Sequence, residues 1–280
     1  LNTTHHVPGI GQIYTRSGWD THATWVNLTA GPYTESHAHQ DQGSLMIYKD
    51  GWLAYDANID SKSGLMQATN AHGLVRVDSA GTAIKQIAST TSRVHALATG
   101  PGWTYAATDL LPAYKNHASI QKMQREMVYL APDVVVVYDR VQSTAGTTQT
   151  WQLATPTQPA ISGGTATISN AGHQLKVTRL APSAGPLSTY SFASTADYTG
   201  GWRLDETVAG GDQRYLHVLA IDNAATTIAT AGDPMHPGTT LMLSNGKTVT
   251  VTFNRDTFGG TLTIDGVTTQ LVAGVTPLAE

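Results

Sequence analysis

The amino-acid sequence predicts an all-β protein, an antiparallel β-sandwich or jelly-roll-like double sheet. Short apolar or alternating runs recur along the chain at intervals of roughly 8 to 12 residues, as in sandwiches and barrels. Glycine, asparagine and aspartate pairs that favour tight turns separate these runs. No stretch of about a dozen residues combines the helical repeat of apolar residues with capping residues. These three observations argue against a mainly helical fold.

The N-terminal part of the chain predicts two β-hairpins and a following strand. Each hairpin joins two alternating runs through a short polar connection, and the connection of the second contains Asp50-Gly51, a pair typical of hairpin turns. The predicted strands cover residues 13–16, 23–28, 45–48, 52–57 and 74–77.

Two further strands, over residues 120–130 and 133–140, flank a turn at Pro132. The run of four valines at 134–137 indicates a strand that is buried on both faces or lies in a sandwich core. Alternating strands over 248–253 and 261–264 predict a terminal meander, whereas the pattern is weak over 82–98 and 103–111 and irregular over 200–211.

The composition restricts both the chemistry and the partners. The chain has 280 residues and is read as one β domain, 1–280, with a compositional shift near 146–150 that would mark the passage between two sheets. It has no cysteine, which excludes disulfides, cysteine-ligated zinc and a cysteine nucleophile. A net charge of -4 gives no basic field for nucleic acid.

The cellular location is predicted from composition and hydropathy. No apolar run reaches the ~18 residues of a membrane span, and no signal-peptide core is present. The chain begins at Leu1 without an initiator methionine and is read as a mature or excised segment. Its abundance of Thr, Ala, Gly and Ser is typical of secreted or periplasmic bacterial β proteins.

Four side chains predict a metal site. His37 and His39, one residue apart on extended backbone, would lie on one face about 7 Å apart. Asp56 follows one hairpin later, and His72 follows a polar connection. Imidazole and carboxylate ligands suit Zn²⁺. The alternative is a chance His-x-His pair of surface or hydrogen-bonded histidines in a chain that has 11 of them.

The stretches around these residues resemble a known family. Residues 25–32, 36–44 and 51–56 are similar to the signature of the heparinase II/III-like polysaccharide lyases, which include heparin, heparan sulfate and alginate lyases. The likeness continues in order through 70–78, 124–130 and 137–141, and so covers roughly the first 155 residues.

The resemblance implies a fold and a set of roles. Lyases of this family join an N-terminal α/α toroid to a C-terminal antiparallel β domain, and this chain resembles the β domain alone. The resemblance implies that His37 projects into the cleft as a catalytic residue, and that His39, Asp56 and His72 bind a structural zinc. Residues expected to bind substrate near the cleft are Arg16, Tyr33, Glu35 and Arg76.

The implied reaction is β-elimination of a uronate-containing polysaccharide such as alginate or heparin. The proton at C5 of the uronate is removable only if the neighbouring carboxylate is neutralised and the developing enolate is stabilised. A base takes the proton, and an acid protonates the departing oxygen at C4. The family places a tyrosine and a histidine for these steps on the toroid, so a toroid domain or chain is the expected partner, along with the acidic polysaccharide.

Two other functions also fit the sequence. A cupin-like metal-binding jelly roll would fit the spacing of Gly31, five further residues, and then His37 and His39. Its motif also needs a glutamate, where Gln42, Gly43 and Ser44 stand instead. A non-catalytic carbohydrate-binding β-sandwich would instead stack sugars on exposed aromatic residues, for which the candidates are Trp19, Trp103, Tyr105 and Trp202.

Overall fold

The N-terminal region of the computed structural model builds one small sheet and several short strands. The structure describes residues 1–34, 38–57, 67–183, 185–194 and 200–276. Five of the first strands form the N-terminal sheet, in the order β1-β2-β3-β5-β6, with antiparallel pairing throughout. The strands are β1 (Thr4–Val7), β2 (Gln12–Arg16), β3 (Trp25–Thr29), β4 (Pro32–Tyr33), β5 (Leu45–Tyr48), β6 (Trp52–Ala54), β7 (Val75–Ser79), β8 (Thr82–Ala83) and β9 (Thr90–Thr91).

The middle of the chain supplies a large central sheet and most of a flanking sheet. The strands are β10 (Arg93–Gly100), β11 (Trp103–Asp109), β12 (Ile120–Leu130), β13 (Val134–Ser143), β14 (Thr147–Thr155), β15 (Ala160–Ser162), β16 (Thr165–Asn170), β17 (His173–Ala181), β18 (Leu187–Phe192), β19 (Gly201–Ala209) and β20 (Asp212–Ile221). The central sheet has the order β15-β16-β17-β20-β13-β12-β11-β10, and the flanking sheet has the order β18-β19-β14-β7-β8. The chain thus leaves the central sheet after Ser143 and enters the flanking sheet at Thr147.

The last strands form a C-terminal meander. They are β21 (Ala225–Asp233), β22 (His236–Leu243), β23 (Thr248–Phe253), β24 (Gly260–Ile264), β25 (Val267–Leu271) and β26 (Gly274–Val275). The first five pair in sequence order as the C-terminal sheet, and β26 adds to β10 at the edge of the central sheet. Within the described ranges the helical content is two short 3-10 turns, Thr69–Ala71 and Leu111–Tyr114, and no helix there is long and apolar enough to cross a membrane.

The central sheet is buried on both faces. Val135 and Val137 pack in a core against the N-terminal and flanking sheets, whereas Val134 and Val136 pack in a second core against the C-terminal sheet. The alternation of side chains along β13 therefore sends successive valines into different cores. The predicted all-β sandwich is confirmed, and the four-valine run is a doubly buried strand.

Two regions without a clear strand pattern in the sequence are strands in the structure. The weak pattern over 82–98 and 103–111 conceals the long strands β10 and β11, whose buried positions include small residues such as Ala96 and Ala106 that carry little apolar signal. The piece over 200–211 is the regular strand β19. Its charged residues are buried because they are paired: Arg203 binds Asp205, and Glu206 binds His217.

Candidate metal centre and adjoining cleft

Three of the predicted ligands come together from separate segments. His39 lies between β4 and β5, Asp56 follows β6, and His72 ends the 3-10 turn Thr69–Ala71. One ligand atom from each lies within 4.8 Å of the others. Hairpin β5–β6, closed by the turn at Asp50, brings Asp56 back towards His39. The residues that the sequence assigned to zinc thus form one cluster.

The spacing and donor set of this cluster fit a metal ion. Nδ1 of His39 lies 3.2 Å from Oδ2 of Asp56, and Nδ1 of His72 lies 3.3 Å from Oδ1. Two ligand atoms on a tetrahedral zinc with bonds of about 2.0–2.1 Å are roughly 3.3 Å apart. Nδ1 of His72 is fully buried and makes no hydrogen bond, because the contact with Asp56 lacks hydrogen-bond geometry. A buried imidazole nitrogen facing a carboxylate in this way is suited to ligating a metal.

The Nε2 nitrogen of His72 fixes the orientation of the imidazole ring. Nε2 lies 3.4 Å from the carbonyl oxygen of Gln67, so an Nε2–H donor there leaves the Nδ1 lone pair facing Asp56. Burial acts to lower the pKa of His72, but the Asp56 and Asp41 carboxyls outweigh it and hold this pKa above its usual value. The local field around the cluster is therefore negative, as a cation site requires.

Asp41 is a member of this environment that sequence reasoning missed. Burial raises the pKa of its carboxyl, and Asp56 adds to that effect, while His72 and His39 oppose it. It also contributes, after burial, to a raised pKa of Tyr33, whose hydroxyl is therefore protonated at neutral pH. The signal was present in the sequence, because Asp41 stands two residues after His39.

A buried arginine of the central sheet holds the loops that carry the histidines. Nη1 of Arg125 donates to the carbonyls of Gly43 and Gly73, both at 2.6 Å. Its charge is neutralised by Asp139 on the neighbouring strand, with Nε 2.6 Å from Oδ1 and Nη2 3.0 Å from Oδ2. Because Gly73 follows His72, this arginine connects the cluster to the centre of the protein.

The flanking sheet supports the same turn. Nε2 of Gln152 donates to the His72 carbonyl at 2.7 Å, and Nη1 of Arg203 donates to the Asn70 carbonyl at 2.7 Å. Arg76, expected near the substrate, reaches Oε1 of Gln152 at 3.0 Å and also pairs with Asp78. It therefore lies behind the turn that bears His72.

A cleft of about 260 Å³ adjoins the cluster. Tyr33, His39, Asp41 and Gln12 are among the residues that line it. Tyr33 thus lies beside the cluster, as expected for a substrate-binding residue. Glu35 and His37 lie outside the described residues.

Arg16 lies elsewhere. It is at the far end of β2 from Gln12 and lines a separate pocket. Of the candidate sugar-stacking residues, Trp19 is 50% exposed, Trp103 and Trp202 are half-buried, and Tyr105 is fully buried with its hydroxyl donating to Glu126. Tyr105 is therefore a core residue, which removes it from the sugar-stacking candidates.

Solved structures share this architecture. Heparan sulfate lyase HepC from Pedobacter heparinus matches with a TM-score of 0.71 and 17% identity over 91% of this chain and 43% of its own. A structure titled heparinase III matches with a TM-score of 0.68 and 14% identity, again over 91% of this chain and 43% of its own. The chain has the fold of part of these heparinases. No protein-family model matches the sequence, and no curated protein matches it.

The likeness to the heparinases is one of fold, and it confirms the resemblance drawn from the sequence at that level. It extends over nearly the whole chain, well past the first 155 residues in which motifs were recognised. The chain spans less than half the length of these heparinase chains, so the remainder of each has no counterpart here.

Proposed function

We propose that this chain is the β domain of a polysaccharide lyase that cleaves a uronate-containing polysaccharide by β-elimination. The observation that carries the proposal is the meeting of His39, Asp56 and His72 within 4.8 Å, on the fold of a heparan sulfate lyase. The matching structures are named heparan sulfate lyase and heparinase III, and they support an acidic heparin-like polymer as the substrate class. The alginate-like alternative comes from the resemblance of the sequence.

In this proposal zinc is bound structurally by His39, Asp56 and His72. A bound zinc would stabilise the junction of three segments by closing them around one ion. The hydrogen bond from His72 to Gln67 keeps the ring oriented for ligation. Other side chains, not the zinc, would carry out the elimination.

The cleft residues have separate roles in the proposed reaction. His37 would neutralise the uronate carboxylate or take the C5 proton, as the resemblance implies. The raised pKa of Tyr33 keeps its hydroxyl protonated, so it can donate a hydrogen bond to a substrate oxygen. Glu35 is also proposed to bind substrate. A tyrosine and a histidine from an α/α-toroid domain or chain would complete the site.

The lyase proposal is tested by ultraviolet absorbance of the unsaturated uronate that elimination produces. This chain, alone and joined to an α/α-toroid domain, is incubated with heparan sulfate, alginate, hyaluronan and chondroitin. We expect absorbance to rise with one polymer when the toroid is present and His37→Ala to abolish the rise. No product from any polymer in either form would contradict the proposal.

The metal assignment has its own test. Elemental analysis of protein purified without chelators should give about one zinc per chain. His39→Ala should lose the zinc, whereas His236→Ala, an exposed residue of the C-terminal sheet, should keep it. Full zinc in the His39 variant would refute this ligand set.

A secreted or periplasmic location in a bacterium is part of the same proposal, because acidic polysaccharides of this kind lie outside the cytoplasm. Fractionation of cells that produce the protein from its own gene checks it. Recovery of the protein in the cytoplasmic fraction alone would contradict this part.

A further inference from the structure

A row of large side chains crosses one face of the N-terminal sheet. Trp25 of β3 is the direct partner of Arg16 on β2 and of Tyr48 on β5. Tyr48 is in turn the partner of Trp52 on β6. Residues directly opposite each other in antiparallel strands point to the same face of the sheet. These four residues, together with Trp19 in the loop after β2, are called the aromatic row below.

The aromatic row lies on the face of the sheet that points away from the core. Val26 and Ile47 are fully buried in the main core. Because side chains alternate along a strand, the preceding Trp25 and the following Tyr48 point to the other face. Trp25 is 37% exposed and Trp19 is 50% exposed. Apolar groups that are exposed together in one patch indicate a binding surface more than single exposed residues do.

The two exposed indoles are held in place by one cation. Cζ of Arg16 lies 3.7 Å from the centre of the Trp25 ring and 4.2 Å from that of the Trp19 ring. The guanidinium therefore covers one face of each ring and leaves the rest of each ring to solvent. At the other end of the row, the rings of Tyr48 and Trp52 meet edge to face at 5.3 Å. Rings that are fixed in this way lose little freedom when a ligand binds.

The charge of Arg16 is not neutralised within the described part of the chain. Three other arginines there are almost completely buried, and each pairs with a carboxylate: Arg125, Arg140 and Arg203. Arg16 is only 7% exposed, and its Nε donates to the carbonyl of Gly18. Its two terminal nitrogens make no hydrogen bond to the described residues, yet they are not cut off from solvent. They are donors available to an anion at the edge of the two indoles.

The carboxylates closest to the aromatic row in the chain bind other groups. Asp20 accepts a hydrogen bond from the backbone amide of His22 at 2.9 Å. Asp50, in the turn between β5 and β6, binds Nδ1 of His22 at 2.9 Å and Nε2 of His173 at 3.0 Å. Since neither aspartate forms an ion pair with Arg16, the row combines apolar ring faces with an unneutralised positive charge.

We propose that the aromatic row binds an acidic saccharide. The apolar C–H face of a sugar ring stacks on the exposed indole surface, and the terminal nitrogens of Arg16 pair with a carboxylate or sulfate that the sugar carries. The two strand spacings from Arg16 to Tyr48 span roughly 10 Å, which is long enough for more than one sugar of a chain. A neutral saccharide would use the stacking alone, and an apolar partner would leave the charge unpaired.

The aromatic row is separate from the cleft beside His39. Gln12 lines that cleft, and the four steps of extended β2 from Gln12 to Arg16 span roughly 13 Å. The even spacing puts both residues on the same face of the sheet, so one polymer chain can extend from the row to the cleft. Binding at the row does not depend on the proposed lyase function.

The test is calorimetric titration of the chain with hexasaccharides of heparan sulfate, hyaluronan and cellulose. We expect one or both acidic hexasaccharides to bind more tightly than the neutral one, and hyaluronan, which carries no sulfate, distinguishes recognition of carboxylate from recognition of sulfate. Arg16→Gln should weaken that binding by about tenfold, because a charge-assisted pair is lost. Trp19→Ala should weaken it by about threefold to tenfold through lost stacking. Tyr190→Ala, at a 46% exposed tyrosine that packs on Arg203 in the flanking sheet, should leave it unchanged.

Hydroxyl-radical footprinting locates the bound saccharide and covers the case in which Arg16→Gln does not fold. The acidic hexasaccharide should protect Trp19 and Trp25 from oxidation and leave the exposed Met235 unprotected. No binding of either acidic hexasaccharide, binding without protection of the two tryptophans, or equally tight binding of the neutral one would overturn the proposal. So would a folded Trp19 variant that binds like the wild type, or a loss in the Tyr190 variant as large as in the Trp19 variant.

Discussion

Arg125 and Arg16 are both buried arginines, yet their surroundings are opposite. Arg125 is neutralised by Asp139, and its remaining donor is used by two backbone carbonyls of the loops around the histidine cluster. Arg16 has aromatic rings on two sides and a single carbonyl acceptor. The first arrangement satisfies the side chain through an ion pair and hydrogen bonds, and the second holds it mainly by stacking on aromatic rings.

The difference shows how burial alone fails to distinguish a structural residue from a binding residue. What distinguishes them is whether the charge and the N–H groups are already satisfied. By this criterion Arg125 is a support for the histidine cluster, whereas Arg16 is buried by stacking on Trp19 and Trp25. Variants of the two arginines should therefore lower stability by different amounts.

The largest expected effect is on stability, at Arg125. Arg125→Met leaves Asp139 as an unpaired buried charge and two carbonyls without their donor, which should cost about 3–5 kcal/mol in the free energy of unfolding. Urea denaturation measures this loss. Arg16→Met should cost much less, because it leaves no buried carboxylate unpaired.

A double variant checks the reason for that loss. Arg125→Met with Asp139→Leu removes both charges and should recover part of the stability lost in the single variant, although the two carbonyls remain unsatisfied. A single Arg125 variant as stable as the Arg16 variant would show that the contrast between the two arginines is mistaken.

The next effect is the response to zinc. If the cluster binds the ion in the folded state alone, zinc at 100 times its dissociation constant should add about 2.7 kcal/mol, seen as a rise in melting temperature of several degrees. His72→Ala should abolish the response, whereas Arg16→Gln should keep it, because Arg16 lies away from the cluster. An unchanged response in the His72 variant would exclude this residue as a ligand.

The sequence was sufficient to predict which residues meet in the candidate metal cluster. His39, Asp56 and His72 were assigned through family-like motifs, and the hairpin that unites them has a local turn signal at Asp50-Gly51. Local turn chemistry and motif order do not require knowledge of distant contacts. The same holds for the doubly buried valines of β13.

The contacts that hold the cluster in place were harder to predict from the sequence. The pairing of Arg125 with Asp139 follows from the register of the hairpin around Pro132, which was in principle readable. Its bonds to Gly43 and Gly73 depend on contacts between residues that are 82 and 52 positions apart in the chain. The pocket lined by Arg16 likewise needs β1, β2 and the β10–β11 turn to meet, and no local pattern encodes that meeting.

The smallest expected effect concerns the exposed hydrogen bonds that join the β5–β6 turn to the central sheet. His173 binds Asp222 with Nδ1 2.5 Å from Oδ2 and binds Asp50 with Nε2 3.0 Å from Oδ2, and these bonds raise the pKa of His173. Burial acts to raise the pKa of Asp222, but its hydrogen bonds to Gln174 and His173 lower it overall. The network thus joins the β5–β6 turn to the central sheet through exposed charges.

The sign of its pH dependence follows from these two directions. The stabilisation by His173 is complete below its ordinary pKa, near 6.5, and is lost as the pH rises through its higher pKa in the folded protein. The stabilisation by Asp222 is complete above its ordinary pKa of 3.8 and is lost as the pH falls through its lower pKa in the folded protein. Stabilisation should therefore be greatest between about pH 4 and 6.5, and His173→Asn should remove less than about 1 kcal/mol there because the groups are partly exposed. Urea unfolding of both proteins at pH 5.5 and 8.5 measures it. If the loss of stability is equal at the two pH values, His173 acts by packing, and the β5–β6 turn is not held by an ion-pair network.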